Sequence, residues 1–251
     1  MASEFQDRVA LVTGGSRGIG RAIALRLAGE GAHVAISYAS RADDARKTVA
    51  EIEALGHKAI AEPCNVAKRA DVERLVTRTR GELGPIDYLA HCGAISNLAD
   101  HRELTYEKWF ETIDVNLNGA YLAVFAVKDE MIERGFGRMV VISSIAALLP
   151  RKMQIHYAAS KAGVMALTRC CAEAFAPHNV RINCIAPGLV ETEMAHVLPP
   201  VRMREVIAAT PMGRIGQPQE IASVARFLLS DEASFMTGQT IVASGGRLMM
   251  S

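Results

Sequence analysis

Tyr157 and Lys161 stand four residues apart in HYAASKAG, and Ser144 ends the apolar run RMVVISS thirteen residues before the tyrosine. On a helix of about 3.6 residues per turn the phenol and the ammonium share a face. A free phenol is a weak acid with a pKa of about 10, but a fixed cation beside it favours the phenolate. A hydroxyl delivered from a neighbouring strand end can hold a carbonyl or alcohol oxygen against that phenol. The trio reads as a device for moving a proton on or off such an oxygen. Tyr-x-x-x-Lys spacing also occurs on solvated helices, so the pair acquires meaning only from the elements that position it. His156 lies about 100° around the same helix, which points to a pocket or surface position rather than to proton transfer.

Those elements alternate. Short β-prone runs recur at RVALVTG (8–14), HVAISY (33–38), KAIAEPC (58–64), YLAHCG (88–93), RMVVISS (138–144), VRINCIAP (180–187) and QTIVASG (239–245). Between them lie stretches with helical periodicity, such as GRAIALRLAGEG and KAGVMALTRCCAEAFAP. The alternation predicts an α/β fold, a doubly wound parallel sheet of about seven strands covered by helices on both faces. No linker or low-complexity tract divides residues 1–251, so a single domain is expected. Residues 188–216, with Pro199, Pro200 and Pro211 around short helical pieces, break the alternation and form the expected substrate lid.

Composition narrows the function. Half of the residues are hydrophobic and 28 basic side chains face 27 acidic ones, so no strong field toward nucleic acid is expected. The N-terminal MASEFQDR is polar, and no apolar run approaches the roughly 18 residues of a membrane span. A cytoplasmic protein with no membrane partner is the expectation. Cys64, Cys92, Cys170, Cys171 and Cys184 lack C-x-x-C spacing and mostly sit in apolar runs, as reduced, buried small hydrophobes do. The seven histidines form no ligand motif, so no metal site is expected.

Directly after the first strand run comes TGGSRGIGRAIALRLA, with Gly14, Gly15, Gly18 and Gly20 leading into a helix. Glycines let the backbone approach a pyrophosphate, and a helix N-terminus attracts it, so a dinucleotide site is the favoured reading over a merely tight turn. A carboxylate at the end of the second strand would accept from the adenine-ribose hydroxyls. That strand ends AISYAS, with Tyr38 where an acid would stand. Arg17 inside the turn, with Ser37 and Arg41 by the strand end, can instead meet a 2′-phosphate. Their alternative role is that of ordinary surface cations. NADP(H) is the cofactor this pattern predicts.

TGGSRGIG, the Asn116 of DVNLNGAY, Ser144 with Tyr157 and Lys161, and APGLVET occur in that order, and together they resemble the short-chain dehydrogenase/reductase family from about Arg8 to Gly246. The resemblance implies a Rossmann-type fold and a catalytic set of Asn116, Ser144, Tyr157 and Lys161. In it Tyr157 is the proton donor in reduction, Lys161 lowers its pKa and contacts the nicotinamide ribose, Ser144 orients the substrate, and Asn116 supports a water beside the lysine. It also implies cofactor contacts at Gly14, Ser16, Arg17, Gly18, Ile19, Gly20, Tyr38, Arg41, Asn65, Val66, Gly93, Tyr157, Lys161, Pro187, Gly188, Val190 and Thr192. Ser144 could alternatively cap a turn, and Asn116 could satisfy backbone within a helix break. Two departures stand out: His91, Cys92, Gly93 and Ala94 replace the usual Asn-Asn-Ala-Gly, and Ser244 to Gly246 read SGG where Asp-Gly-Gly is usual. Asn65 also stands where an Asp is more common.

The tail from Thr210 to Gly246 resembles that of 3-oxoacyl-acyl carrier protein reductases, which implies reduction of a 3-oxoacyl thioester to its 3-hydroxyacyl product. Expected substrate contacts are Ser144, Leu149, Met153, Gln154, Leu189 and Met194, with Ile145 beside them. Arg134, Arg138, Arg151, Lys152 and Arg169 are candidates for receiving an acidic carrier protein, or are simply solvated charges. A reductase of a free small ketone, sugar or polyketide intermediate is the alternative, and a non-catalytic dinucleotide-binding regulator is a further one. The family resemblance implies a homotetramer built on helices near residues 105–130 and 157–176.

Overall fold

The computed structural model describes residues 3–196 and 198–249. Seven strands form one parallel sheet: β1 (Val9–Thr13), β2 (His33–Tyr38), β3 (Ala59–Pro63), β4 (Ile86–His91), β5 (Gly137–Ile142), β6 (Val180–Pro187) and β7 (Thr240–Ala243). Their spatial order is β3-β2-β1-β4-β5-β6-β7. Helices α1 (Gly18–Ala28), α2 (Ala42–Ala54), α3 (Arg69–Glu82), α4 (Tyr106–Ile113), α5 (Gly119–Glu133), α6 (Ile155–Phe175), α7 (Glu193–His196), α8 (Pro200–Ala208) and α9 (Pro218–Leu229) complete the described residues, with short 3₁₀ turns between some of them.

Both faces of the sheet are covered, which is why the strands read as nearly continuous apolar runs. Along β1, Val9 and Leu11 enter one hydrophobic layer, with Val127 of α5 and Val164 of α6; Ala10 and Val12 enter the other, with Ile23 of α1 and Leu228 of α9. The two-residue period of the strand sends alternate side chains to opposite layers. β1 lies between β2 and β4, so the chain winds outward from β1 first one way and then the other. A crevice opens outside the carboxyl ends of the strands at that reversal.

Of the strand boundaries that differ from the sequence reading, two shape the crevice most. β4 runs Ile86–His91 rather than 88–93, leaving Cys92, Gly93 and Ala94 as a loop above it. β7 ends at Ala243 and releases Ser244–Gly246 into a turn, where Gly245 and Gly246 take left-handed dihedrals unsuited to a ladder. Arg134 and Arg138 are not near the crevice. Arg134 pairs with Asp87 at 2.9 Å, and Arg138, at the start of β5, donates to Asn179 O at 2.7 Å. Both lie toward the amino ends of the strands, opposite the site.

Candidate active site

A continuous cleft of about 1390 Å³ follows the carboxyl ends of the strands. At one end the turn between β1 and α1 is held by β2: Gly15 N donates to Ser37 O at 3.0 Å and Gly14 N to the Ser37 hydroxyl at 3.3 Å. Ser37 is largely buried but lines the cleft, and because its hydroxyl oxygen accepts from Gly14 N its own O–H is left to donate. Gly14 has φ 65°, and a Cβ on Gly20 would lie 2.3 Å from Gly14 O. The turn is thus a close backbone cradle at the N-terminus of α1 that side chains would fill. Such a cradle suits the pyrophosphate of a dinucleotide.

Of the expected cofactor contacts, Gly14, Ser16, Arg17, Gly18, Ile19, Gly20, Tyr38, Arg41, Asn65, Val66, Gly93, Pro187, Gly188, Val190 and Thr192 all line the cleft, together with Tyr157 and Lys161. Arg17 and Arg41 come from separate elements onto one carboxylate, Glu193 of α7; Arg41 reaches it at 3.0 Å and Arg17 more closely still. The Asn65 side chain accepts from Ala67 N at 3.1 Å and so folds its own turn. That local bond leaves its carboxamide N–H groups available.

Midway along the cleft Ser144, Tyr157 and Lys161 converge. α6 carries Tyr157 and Lys161 on a buried face, while Ser144 leaves β5 in an extended conformation and accepts from Ala146 N at 3.1 Å. Ser144 thus caps a short 3₁₀ turn, and its hydroxyl also stands against the Tyr157 phenol. Burial raises the Tyr157 pKa, and the Ser144 hydroxyl opposes that rise only in part. The Lys161 ammonium sits 5.8 Å from the Tyr157 ring centroid and donates to Ile142 O at 2.8 Å. Burial pulls its pKa down to about 8.

Asn116 does not line the cleft. It lies in a π-helical turn, Asp114–Asn118, between α4 and α5, and is wholly buried. Its Oδ1 accepts from Ile95 N at 2.8 Å, while its Nδ2 donates to Ile95 O at 3.0 Å and to Ser160 Oγ at 3.1 Å. The side chain is fully occupied in pinning the loop after β4 to α6, so it positions the helix that carries Tyr157 and Lys161.

The departure at 91–94 has its own chemistry. Thr13 Oγ1 accepts from Cys92 N at 3.1 Å and Gly93 N at 3.3 Å, leaving its proton for His91 Nδ1 at 2.9 Å. His91 is therefore neutral with its proton on Nε2, and burial, aided by the Lys161 charge, pushes its pKa down to about 3. Thr13 ties β1 to β4 where the missing asparagines would have done so. In the SGG turn, the Ser244 hydroxyl accepts from Leu248 N at 3.1 Å and donates to Leu248 O at 3.2 Å, so a serine closes the turn.

At the far end, Ser144, Ile145, Met153, Gln154, Leu189 and Met194 line the cleft, but Leu149 does not. Leu149 N donates to Ile145 O at 2.9 Å, and the side chain packs against the hydrophobic layer. Gln154 also holds the opposite loop, donating to Ser96 Oγ at 2.9 Å. Arg151 and Lys152 reach the cleft, whereas Arg169 lies on an exposed face of α6 outside it. His156 is neither in the pocket nor on the surface: α4 packs against α6 and buries it. Cys64, Cys171 and Cys184 are buried as expected, but Cys170 is exposed, because it lies about 100° around α6 from Cys171. Sequence reading missed Thr13, Glu193, Arg202 and Arg247; only Thr13, abutting the glycine turn, had a local signal.

Among the described residues no helix is long and apolar enough to cross a membrane, and no three His, Cys, Asp or Glu side chains gather to hold a metal. Residues 14–247 match the family model described as Enoyl-(Acyl carrier protein) reductase. The chain is 38% identical to a 3-oxoacyl-[acyl-carrier-protein] reductase of Synechocystis sp. over 96% of its length and 97% of the relative's. It is also 38% identical to an acetoacetyl-CoA reductase of Shinella zoogloeoides, over 97% of its length and 100% of the relative's. Among solved structures it resembles a candidate gluconate dehydrogenase of Agrobacterium tumefaciens, with a TM-score of 0.94, 32% identity and 100% coverage of both chains. Levodione reductase follows, with a TM-score of 0.91, 32% identity and coverage of 97% and 98%. With the glycine cradle, the switch-point cleft and these relatives, the chain belongs to the short-chain dehydrogenase/reductase family, oxidoreductases that bind a nicotinamide dinucleotide.

Proposed function

We propose that this protein uses NADPH to reduce the keto group of a 3-oxoacyl thioester to the 3-hydroxyacyl product. The observation that carries the reading is the convergence of Ser144, Tyr157 and Lys161 in one cleft whose nucleotide end has two arginines and no acid at the end of β2. The bound nicotinamide supplies a hydride to the keto carbon. The chain then has to orient the keto oxygen and give it a proton. Tyr157 suits that task because burial keeps its phenol protonated at neutral pH. Ser144 accepts from Ala146 N with its oxygen, so its own O–H remains to hold the keto oxygen against the phenol. Lys161 is charged below about pH 8 and places its cation beside the ring, where it opposes the build-up of negative charge as the proton leaves. Asn116 acts through the loop and helix it joins.

Arg17 and Arg41 support NADP(H) over NAD(H), since two guanidinium groups match a 2′-phosphate and Tyr38 offers no carboxylate to ribose hydroxyls. Residues 188–216 act as a lid. Val190 bridges Gly216, and Gly216 N donates to Leu189 O at 2.9 Å, so the two ends of the segment are fastened while α7 and α8 stand over the cleft. An assembly of four copies would cover the exposed aromatics Tyr106 and Phe110 of α4 and Tyr121 and Phe125 of α5. A thioester substrate is supported by the relatives named for acyl-carrier-protein and coenzyme A thioesters.

The test is NADPH oxidation with acetoacetyl thioesters of coenzyme A and of acyl carrier protein. Turnover that disappears in Tyr157→Phe while NADP+ binding persists supports the mechanism. A preference of tenfold or more for the carrier-protein thioester supports the carrier-linked substrate. Turnover of free ketones alone would replace the thioester reading, and no turnover on any ketone would leave a binding protein.

A further inference from the structure

At the substrate end of the cleft three arginines from distant parts of the chain approach one another: Arg151 from the loop after β5, Arg202 from α8 and Arg247 from the turn after β7. Arg202 is exposed and paired with Glu205 one turn along its own helix. The other two have no such partner. The half-buried Arg151 makes no side-chain hydrogen bond or ion pair among the described residues, and the charges acting on it are those of Arg247 and Arg202. Arg247 donates to Ala209 O at 2.9 Å, but its Nε is buried without a partner and it forms no ion pair among the described residues. Of the other acids lining the cleft, Glu193 pairs with Arg17 and Arg41 and Glu191 with His196, whereas Glu111 of α4 makes no ion pair among the described residues and is not among the charges acting on Arg151.

Arg181 and Arg138, which are also buried, likewise leave Nε without a partner, but unlike Arg151 they are held at their guanidinium termini. Arg181 donates to Leu228 O at 3.0 Å and Ser230 O at 2.7 Å, and Arg138 reaches Asn179 O at 2.7 Å. Bringing like charges together out of water costs energy unless an opposite charge joins them, and burial with both neighbours already lowers the Arg151 pKa. A guanidinium presents a planar fork that matches a carboxylate or phosphate.

We propose that Arg151 and Arg247 form an oxyanion subsite that holds a carboxylate or phosphate of the substrate, separate from the hydroxyls of Ser144 and Tyr157. The proposal rests on the reading of this cleft as a ketone reductase site. A thioester would supply the phosphate of its pantetheine arm, and a keto acid its carboxylate.

Two matched pairs of ketones separate these sources: acetoacetyl coenzyme A against acetoacetyl N-acetylcysteamine, and acetoacetate against ethyl acetoacetate. The wild type should prefer the anionic member of one pair at least tenfold in kcat/KM. Arg151→Gln/Arg247→Gln should abolish that preference, chiefly through KM, and Arg151→Lys should restore part of it. Arg202→Gln should change it less, because Glu205 already answers that charge. No preference in the wild type, or one that survives in the double variant, overturns the subsite. Failure of both thioesters with the acetoacetate preference intact defeats the thioester reading and leaves the subsite standing. A readout without turnover is calorimetric titration of succinate and of 4′-phosphopantetheine into NADP+-saturated protein. One of them should bind the wild type at least tenfold more tightly than the double variant; equal affinities, or no binding of either, also overturn it.

Discussion

The cleft has an arginine pair at each end, and the two pairs are in opposite electrostatic conditions. Arg17 and Arg41 share the carboxylate of Glu193, while Arg151 and Arg247 face each other with no acid among the described residues. A satisfied pair can wait exposed at the mouth, where water screens it. An unsatisfied, partly buried pair is stable only at a cost that a bound anion removes. The nucleotide end therefore holds its charges in reserve on Glu193 of α7, and the far end presents them bare.

Between the two pairs stands Tyr157, the proposed proton donor, and removing its hydroxyl should damage catalysis without touching either end. Tyr157→Phe is expected to lower kcat by roughly 10²- to 10⁴-fold, the range for loss of a general acid. NADPH affinity, read by fluorescence titration, should stay within about threefold by the same reasoning, since the phenol oxygen alone is lost. A fall in affinity that matches the fall in rate would mean that Tyr157 holds the nucleotide rather than the proton.

Lys161 is a further cation of the cleft, buried deeper than either pair and donating to Ile142 O at 2.8 Å. Burial lowers its pKa from 10.5 to about 8. Because the folded value lies below the unfolded one, the unfolded chain binds the extra proton between these two values. The lysine thus destabilises the ligand-free fold fully below pH 8, and the penalty fades as pH rises toward 10.5. Lys161→Met should raise the unfolding free energy at pH 7 by on the order of 3 kcal/mol, from about 2.5 pKa units at about 1.4 kcal/mol each, while crippling turnover. Urea unfolding of ligand-free protein at pH 7 and pH 10 should show the gap closing. A gap that is equal at both values would place the effect in packing.

The nucleotide-end pair is tested by its selectivity. Arg17→Ala/Arg41→Ala should raise KM for NADPH about 10- to 100-fold, as expected for charge-assisted bonds of about 1.5–3 kcal/mol, and change KM for NADH little. Equal losses for the two cofactors would remove the 2′-phosphate from the argument. Such a result would leave both arginines as lid contacts through Glu193.

The same contrast explains what could be read from the chain. Arg17 sits within the glycine turn and Tyr38 ends a strand whose residues are contiguous, so local spacing exposed the nucleotide end. All seven strands were legible because a sheet buried on both faces demands apolar runs, and turns then punctuate them. The ordered Ser144, Tyr157 and Lys161 were legible because one strand end and one helix carry all three. Arg151 was visible only as one of several scattered cations, and Arg247 was not visible at all, since 95 residues separate them and only the return of β7 beside β6 brings them together. Leu149 and His156 misled for the converse reason: adjacency in sequence placed them near the site, but the 3₁₀ turn and the packing of α4 on α6 turned them inward. Asn116 was picked out by motif order, but its partners Ile95 and Ser160 became apparent only in three dimensions.

The finest difference between the ends is Glu193 itself. Its carboxylate and the 2′-phosphate of the proposed NADP(H) seek the same guanidinium groups, so on that reading the phosphate has to displace Glu193. Arg17, Arg41 and Glu193 are each about half exposed, and such pairs are worth only about 0.2–1 kcal/mol. Glu193→Gln should therefore tighten NADPH about two- to fivefold and leave NADH nearly unchanged. The ratio of the two KM values, measured at low and moderate salt, separates competition from support. Competition predicts a gain for NADPH that shrinks as salt screens the arginines. If Glu193 instead orients Arg17 and Arg41 for the phosphate, the variant binds NADPH more weakly, and the lid carboxylate becomes part of the site rather than its rival.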